Sequence, residues 1–190
     1  MIVLSRNHAK VLDVVLRRAR TDDYTYLDLG ATRQENLPSG YRHDRVSTQV
    51  GHGDAAWSRA KDAIRLWKPH RHVGARITPQ EASLDEGTTV LASFSAGPLL
   101  IIAPCRIVYQ TDTPSRFGFA YGTLQGHPEQ GEEALHVARG DDGAVIAEVT
   151  VFSRPADLAT RLSGPFAIAA QRLVARRYVG GILEYVRAGG

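Results

Sequence analysis

The chain has 190 residues, 43% hydrophobic and 23% charged, with a formal net charge of +3. That length suits one domain burying roughly 70% of its unfolded surface, and the composition excludes an intrinsically disordered chain. The single cysteine, Cys105, excludes an internal disulfide and a zinc site built on cysteines, and suits a reducing, cytoplasmic compartment. The longest apolar run, Pro98 to Ala103, has strand length, and the apolar run at the N-terminus is shorter still, so neither membrane insertion nor a signal peptide is expected. Lysine occurs only at Lys10, Lys61 and Lys68; the arginine bias fits a GC-rich, bacterial genome. The arginines are scattered, except along the last helix, so no nucleic-acid surface is expected.

In chain order, residues 6–20 read as a short amphipathic helix with Ser5 as N-cap and Val11, Leu12, Val15 and Ala19 on one side. Residues 21–41 carry Gly, Pro, Asn and Asp without a period and read as irregular. Residues 42–50 read as a strand. After Gly53, with Asp54 as cap, a helix follows whose stripe is Ala56, Trp57, Ala60, Ala63, Ile64 and Trp67, and Pro69 is expected to stop it. His70 and His72 then fall in an exposed loop. Six further strands are expected at 73–78, 88–95, 99–111, 116–124, 132–138 and 144–153, too closely spaced for crossover helices, hence antiparallel. Residues 158–187 return to a helical period. From Phe166 on, Ala167, Ile168, Val174, Ala175, Tyr178, Val179, Ile182 and Val186 lie opposite an arginine-rich side.

This order predicts an α+β chain in which a curved, seven-stranded antiparallel sheet wraps around a long C-terminal helix, hiding the apolar face of each. The whole chain, 1–190, is expected to form one domain, with residues 1–40 packed on a 41–190 core. A helix across a curved sheet leaves space beneath it, the expected ligand site.

The segments FGFAYGTLQGHPEQGEEAL (Phe117 to Leu135), PCRIVYQ (Pro104 to Gln110), FSRPADLATRLSGP (Phe152 to Pro165), RRY (Arg176 to Tyr178), YLDLGAT (Tyr26 to Thr32) and LPSGY (Leu37 to Tyr41) carry a family resemblance. Together they resemble domain of unknown function 1990, also called uncharacterised protein family 0548, from about residue 24 to residue 185. The resemblance implies a helix-grip fold of the START and polyketide-cyclase superfamily.

Candidate site residues follow from type and spacing. Phe117, Phe119, Tyr121 and Thr123 alternate with Gly118, Ala120 and Gly122, giving a strand with one aromatic and one bare face; they line a pocket or fill the core. The loop Gly126 to Glu133 gathers His127, Glu129, Glu132 and Glu133. With Tyr121 as acid, His127 and Glu129 or Glu132 form a candidate acid–base set, set against a plain polar turn. Arg106 and Arg154, each beside apolar residues, read as ligand-binding cations or as partners of Glu132 or Glu133. Gln171 and Tyr178 lie on the apolar side of the last helix and point at any cavity. No metal or other cofactor is implied, and the oligomeric state is left open. The leading expectation is binding of a small apolar or amphipathic molecule. A cyclase- or hydrolase-type enzyme and a non-catalytic interaction protein with a solid core are the alternatives.

Overall fold

The computed structural model describes residues 1–5, 7–156 and 164–189, with the backbone alone for residues 96 and 164–172. Eight strands form one antiparallel sheet: β1 (Ile2–Leu4), β2 (Arg42–His52), β3 (Arg76–Thr78), β4 (Thr89–Ala96), β5 (Leu99–Asp112), β6 (Arg116–Thr123), β7 (Glu129–Arg139) and β8 (Ala144–Pro155). The main path runs β2-β8-β7-β6-β5-β4-β3, and β1 pairs with the start of β5. The strand that sequence reasoning missed is β1, three residues long and without a visible alternation. Register breaks at Gln49/Gly51 in β2 and Ile107/Tyr109 in β5 each add a residue to one strand, which bends a sheet.

Helix α1 (His8–Ala19) is capped by Asn7, whose side chain accepts from the Lys10 amide at 3.1 Å; the expected cap, Ser5, instead accepts from the Asn7 amide. Its Leu16 and Ala19 pack on Leu91, Leu100, Ile102 and Leu124. Helix α2 (Gly53–Arg65) buries Ala56, Trp57, Ala60, Ala63 and Ile64 as the stripe requires, while Asp54 pairs with Arg139 at 2.6 Å rather than capping. Pro69 does not open a loop. Trp67 takes a left-handed backbone, φ 54°, and the chain re-enters a short helix, α3 (Lys68–His72), with Pro69 in its first turn, where a missing N–H costs nothing. That pivot turns His70 inward.

The long helix α4 (Gly164–Arg187) buries Ala175, Tyr178, Val179, Ile182 and Val186 and exposes Arg176, Arg177, Glu184 and Arg187, the division its period predicts. It shares one core with α2 and the concave face of the sheet: Val90, Ile107, Phe117, Phe119, Leu135, Val137 and Val149 all belong to that cluster. Gly181 lets α4 approach α3, since a methyl group there would meet the His72 side chain at 2.7 Å. The convex face is covered separately by residues 24–41, with Tyr26, Ala31 and Phe152 at the centre of the packing. Among the described residues no helix is long and apolar enough to cross a membrane.

Candidate functional site

Strand β7 begins at Glu129, not at residue 132, so Glu129, Glu132 and Glu133 stand on a pleated strand and not in a hairpin loop. Successive side chains then alternate between faces. Glu133 shares the concave side with Tyr121, its cross-strand partner, and Val151 lies beyond it on β8. Glu132 goes to the convex side.

There Glu132 is 2% exposed and saturated with donors. It accepts from the Tyr26 hydroxyl at 2.8 Å, the Gly30 amide at 2.7 Å, the Thr32 amide at 3.0 Å and the Thr32 hydroxyl. Gly30 and Thr32 lie at the start of a 3-10 helix, Ala31–Arg33, whose free amides suit an anion. Gly122 makes the contact possible: a methyl group on it would overlap the Tyr26 hydroxyl. The bare face of β6 is thus where the N-terminal segment lies.

On the concave side a cavity of about 280 Å³ opens between the sheet and α4. Ala92, Phe94, Ile101, Ala103, Val151 and Val174 give it apolar walls. Glu133, Tyr121 and Tyr178 supply polar groups on the same walls. The Tyr121 hydroxyl donates to Glu133 Oε1 and lies 3.0 Å from His70 Nε2. A hydroxyl that donates to the carboxylate receives from the imidazole, so His70 carries its proton on Nε2. Its Nδ1, the acceptor in that tautomer, is buried with no hydrogen-bond partner among the described residues. His70 is 1% exposed and packed among Trp67, Phe119, Tyr121 and Tyr178, with ring centroids 4.7 Å from Tyr178 and 4.8 Å from Trp67.

Burial sets the electrostatics. It pulls the His70 pKa down to about 3, so the ring is neutral. It pushes the Glu133 carboxyl up to about 7, against the opposing pull of the Tyr121 hydrogen bond. Tyr121 and Tyr178 are raised well above the usual phenol, by burial first and by Glu133 second. The Cys105 thiol is raised too, so it is a buried thiol and not a nucleophile. Glu133 accepts one hydrogen bond and is paired with no cation among the described residues.

The acid–base set expected from sequence is not brought together. His127 lines the cavity, but its Nδ1 is taken by the Glu129 backbone at 2.9 Å and not by a carboxylate; burial lowers its pKa to about 4. The Glu129 carboxylate pairs with Arg42 at 3.0 Å, and Glu132 faces the other side of the sheet. Of the four, only Tyr121 stays in the polar group at the cavity.

The two arginines also lie elsewhere. Arg106 donates to the Ala19 carbonyl at 2.8 Å and the Arg20 carbonyl at 3.2 Å, holding the end of α1. Arg154 is exposed, donates to Gln130 at 3.1 Å and lies over the Tyr41 ring. Neither pairs with Glu132 or Glu133: both project from the convex side, away from Glu133, and Glu132 on that side is taken by Tyr26, Gly30 and Thr32. Phe117 and Phe119 are core: Phe119 meets Trp67 at a tilt, with centroids 4.8 Å apart, and the Arg65 guanidinium lies over Phe117. Thr123 borders the cavity but is occupied by Thr25 at 2.6 Å and the Gly131 amide at 3.0 Å. The Gln171 side chain lies outside the described residues.

Sequence reasoning missed His70 and gave Glu133 no role at the cavity. For Glu133 the signal existed: Glu133, Leu135 and Val137 recur at period 2, which puts the carboxylate on the apolar face. For His70 it did not, because the left-handed Trp67 that aims it inward has no sequence signature. No group of three or more His, Cys, Asp or Glu among the described residues is placed to hold a metal ion.

The family model described as domain of unknown function DUF1990 matches residues 25–181. A UPF0548 protein of Deinococcus radiodurans is 35% identical over 176 residues, covering 85% of this chain and 86% of its own. Among solved structures, the crystal structure of Ara h 8.0201 aligns with a TM-score of 0.55 at 12% identity, over 78% of this chain and 99% of that one. A hypothetical protein of Helicobacter pylori aligns with a TM-score of 0.57 at 10% identity, over 87% and 97%. At such identities the likeness is one of fold, the helix-grip arrangement described above.

Proposed function

This chain belongs to the family described as domain of unknown function DUF1990, and for this member of it we propose the binding of a small apolar or amphipathic molecule between the sheet and α4. The observation that carries the proposal is the cavity of about 280 Å³, apolar over most of its wall and furnished with Tyr121, Tyr178 and Glu133. A solid core would have no such space, since protein interiors pack to crystal density. Contact of a ligand's hydrocarbon with the apolar walls would drive binding at about 25 cal/mol per Å² buried, and the three polar groups would set its orientation.

An enzymatic reading built on His127 loses support, because its ring nitrogen is engaged with backbone and the two carboxylates meant to orient it are held elsewhere. Native mass spectrometry of freshly purified protein tests binding. A co-purifying mass of a few hundred daltons, lost on substituting Ala175→Trp to fill the cavity, is the expected result. A clean apo mass, together with no uptake from a small-molecule mixture, overturns the proposal.

A further inference from the structure

Within the binding reading above, on which this rests, we infer that the ligand's polar end is a protonated amine, received by the Glu133 carboxylate. The balance of charge on the cavity wall is the first reason. Asp44, Glu129, Glu132 and Glu133 border the cavity, the Glu132 carboxylate being turned to Tyr26, Gly30 and Thr32, while no lysine or arginine borders it among the described residues. Arg42 pairs with the Glu129 carboxylate at 3.0 Å. Both histidines of the site are neutral, since burial holds His70 at about 3 and His127 at about 4. Arg42 offsets Glu129, but Glu133 is paired with no cation among the described residues, so an anionic head group beside it would meet a carboxylate, whereas a cation would pair with it.

The second reason is the state of Glu133. Tyr121 is its single donor, and Tyr121 is itself oriented by His70. A carboxylate offers about four acceptor positions, so Glu133 retains most of its accepting capacity, on a residue that borders the cavity. Burial opposes its ionisation at neutral pH, and an ammonium group docking against it restores the charged form by a charge-assisted hydrogen bond. The whole chain carries a net charge of +3, so a preference for cations would come from the cavity and not from the protein's overall field.

The pH dependence has a defined sign. Facing Glu133 are Tyr121 from β6, Tyr178 from α4 and Cys105 from β5, all held neutral by burial. His70 acts through Tyr121, and Asp44 and His127 border the same cavity from β2 and the β6–β7 connection. The group titrating near neutrality is Glu133, at about 7. Amine affinity therefore falls with pH, by about fivefold from pH 7 to 6 and about tenfold over the next unit.

Isothermal titration with octylamine, 1-octanol and octanoate at pH 7.5 is the test, since the three share one chain and differ in charge. Octylamine is expected to bind at least about tenfold tighter than octanol, with octanoate weakest. Glu133→Gln should bring the amine down to the affinity of the alcohol, closing the gap of about tenfold between them. Should Glu133→Gln fold poorly, the pH series on the unaltered chain replaces it: the amine weakens from pH 7 to 5 and the alcohol does not. Equal affinities for amine and alcohol overturn the amine assignment and leave the binding reading standing. No binding by any of the three, or by the small-molecule mixture above, overturns both.

Discussion

Strand β7 holds two adjacent carboxylates, and its two faces treat them in opposite ways. On the convex face Glu132 receives four hydrogen bonds from Tyr26, Gly30 and Thr32. On the concave face Glu133 receives one, from Tyr121, and burial pushes its pKa up to about 7. Glu132 is buried and Glu133 half-buried at the cavity wall, so burial does not explain why the buried one is the better satisfied. What separates them is the number of donors: a carboxylate saturated by its own chain is part of the scaffold, and one left short of partners inside an apolar hollow is available to something else.

Substitution at the two positions should then give opposite signs. Glu132→Ala leaves the Gly30 and Thr32 amides and the Tyr26 hydroxyl buried without an acceptor. It should cost about 3–5 kcal/mol in urea unfolding; a loss under about 1 kcal/mol would erase the contrast. Glu133→Gln should stabilise at pH 8, by up to about 3 kcal/mol. The sign follows from the raised pKa: between the unfolded value near 4.5 and the folded value near 7 the native state binds more protons, so stability falls as pH rises through that window. The gain should therefore vanish below about pH 4.5, and a gain independent of pH would mean that Glu133 is not the group titrating.

Smaller changes sharpen the comparison. Gly122→Ala drives a methyl into the Tyr26 hydroxyl and should cost about 1–3 kcal/mol by displacing it from Glu132, without altering ligand binding. Tyr121→Phe removes the one donor to Glu133 and leaves the His70 Nε2–H without an acceptor, so it should raise the Glu133 pKa further and cost about 1–3 kcal/mol; the infrared carboxyl band followed against pH reads the shift directly.

The alternation of faces was legible in the sequence, and with it the curved sheet, the stripe of α2 and the buried side of α4, because each repeats at period 2 or 3.6 over many residues. The start of β7 was not. Gly126 to Glu133 looks like a turn by composition, yet the chain pairs from Glu129 onward because β8 offers a partner as far as Pro155. That three-residue difference moved Glu132 and Glu133 from one loop to opposite faces. It is also why Arg106 and Arg154 were given carboxylate partners they do not have. His70 escaped because its placement depends on one backbone angle at Trp67 and on the approach of α4 across Gly181, both tertiary effects.

The clasp at Glu132 and the hollow at Glu133 lie back to back, separated by the thickness of a single sheet. The Glu132 carboxylate that fastens the N-terminal segment is therefore turned away from the ligand chamber. A protein engineer seeking a different specificity can rework positions 133, 151 and 178 while the fastening at Tyr26, Thr32 and Glu132 keeps the scaffold intact. The converse also holds: screens that select only for folding will enrich changes on the outside of the sheet and say little about what the inside accommodates.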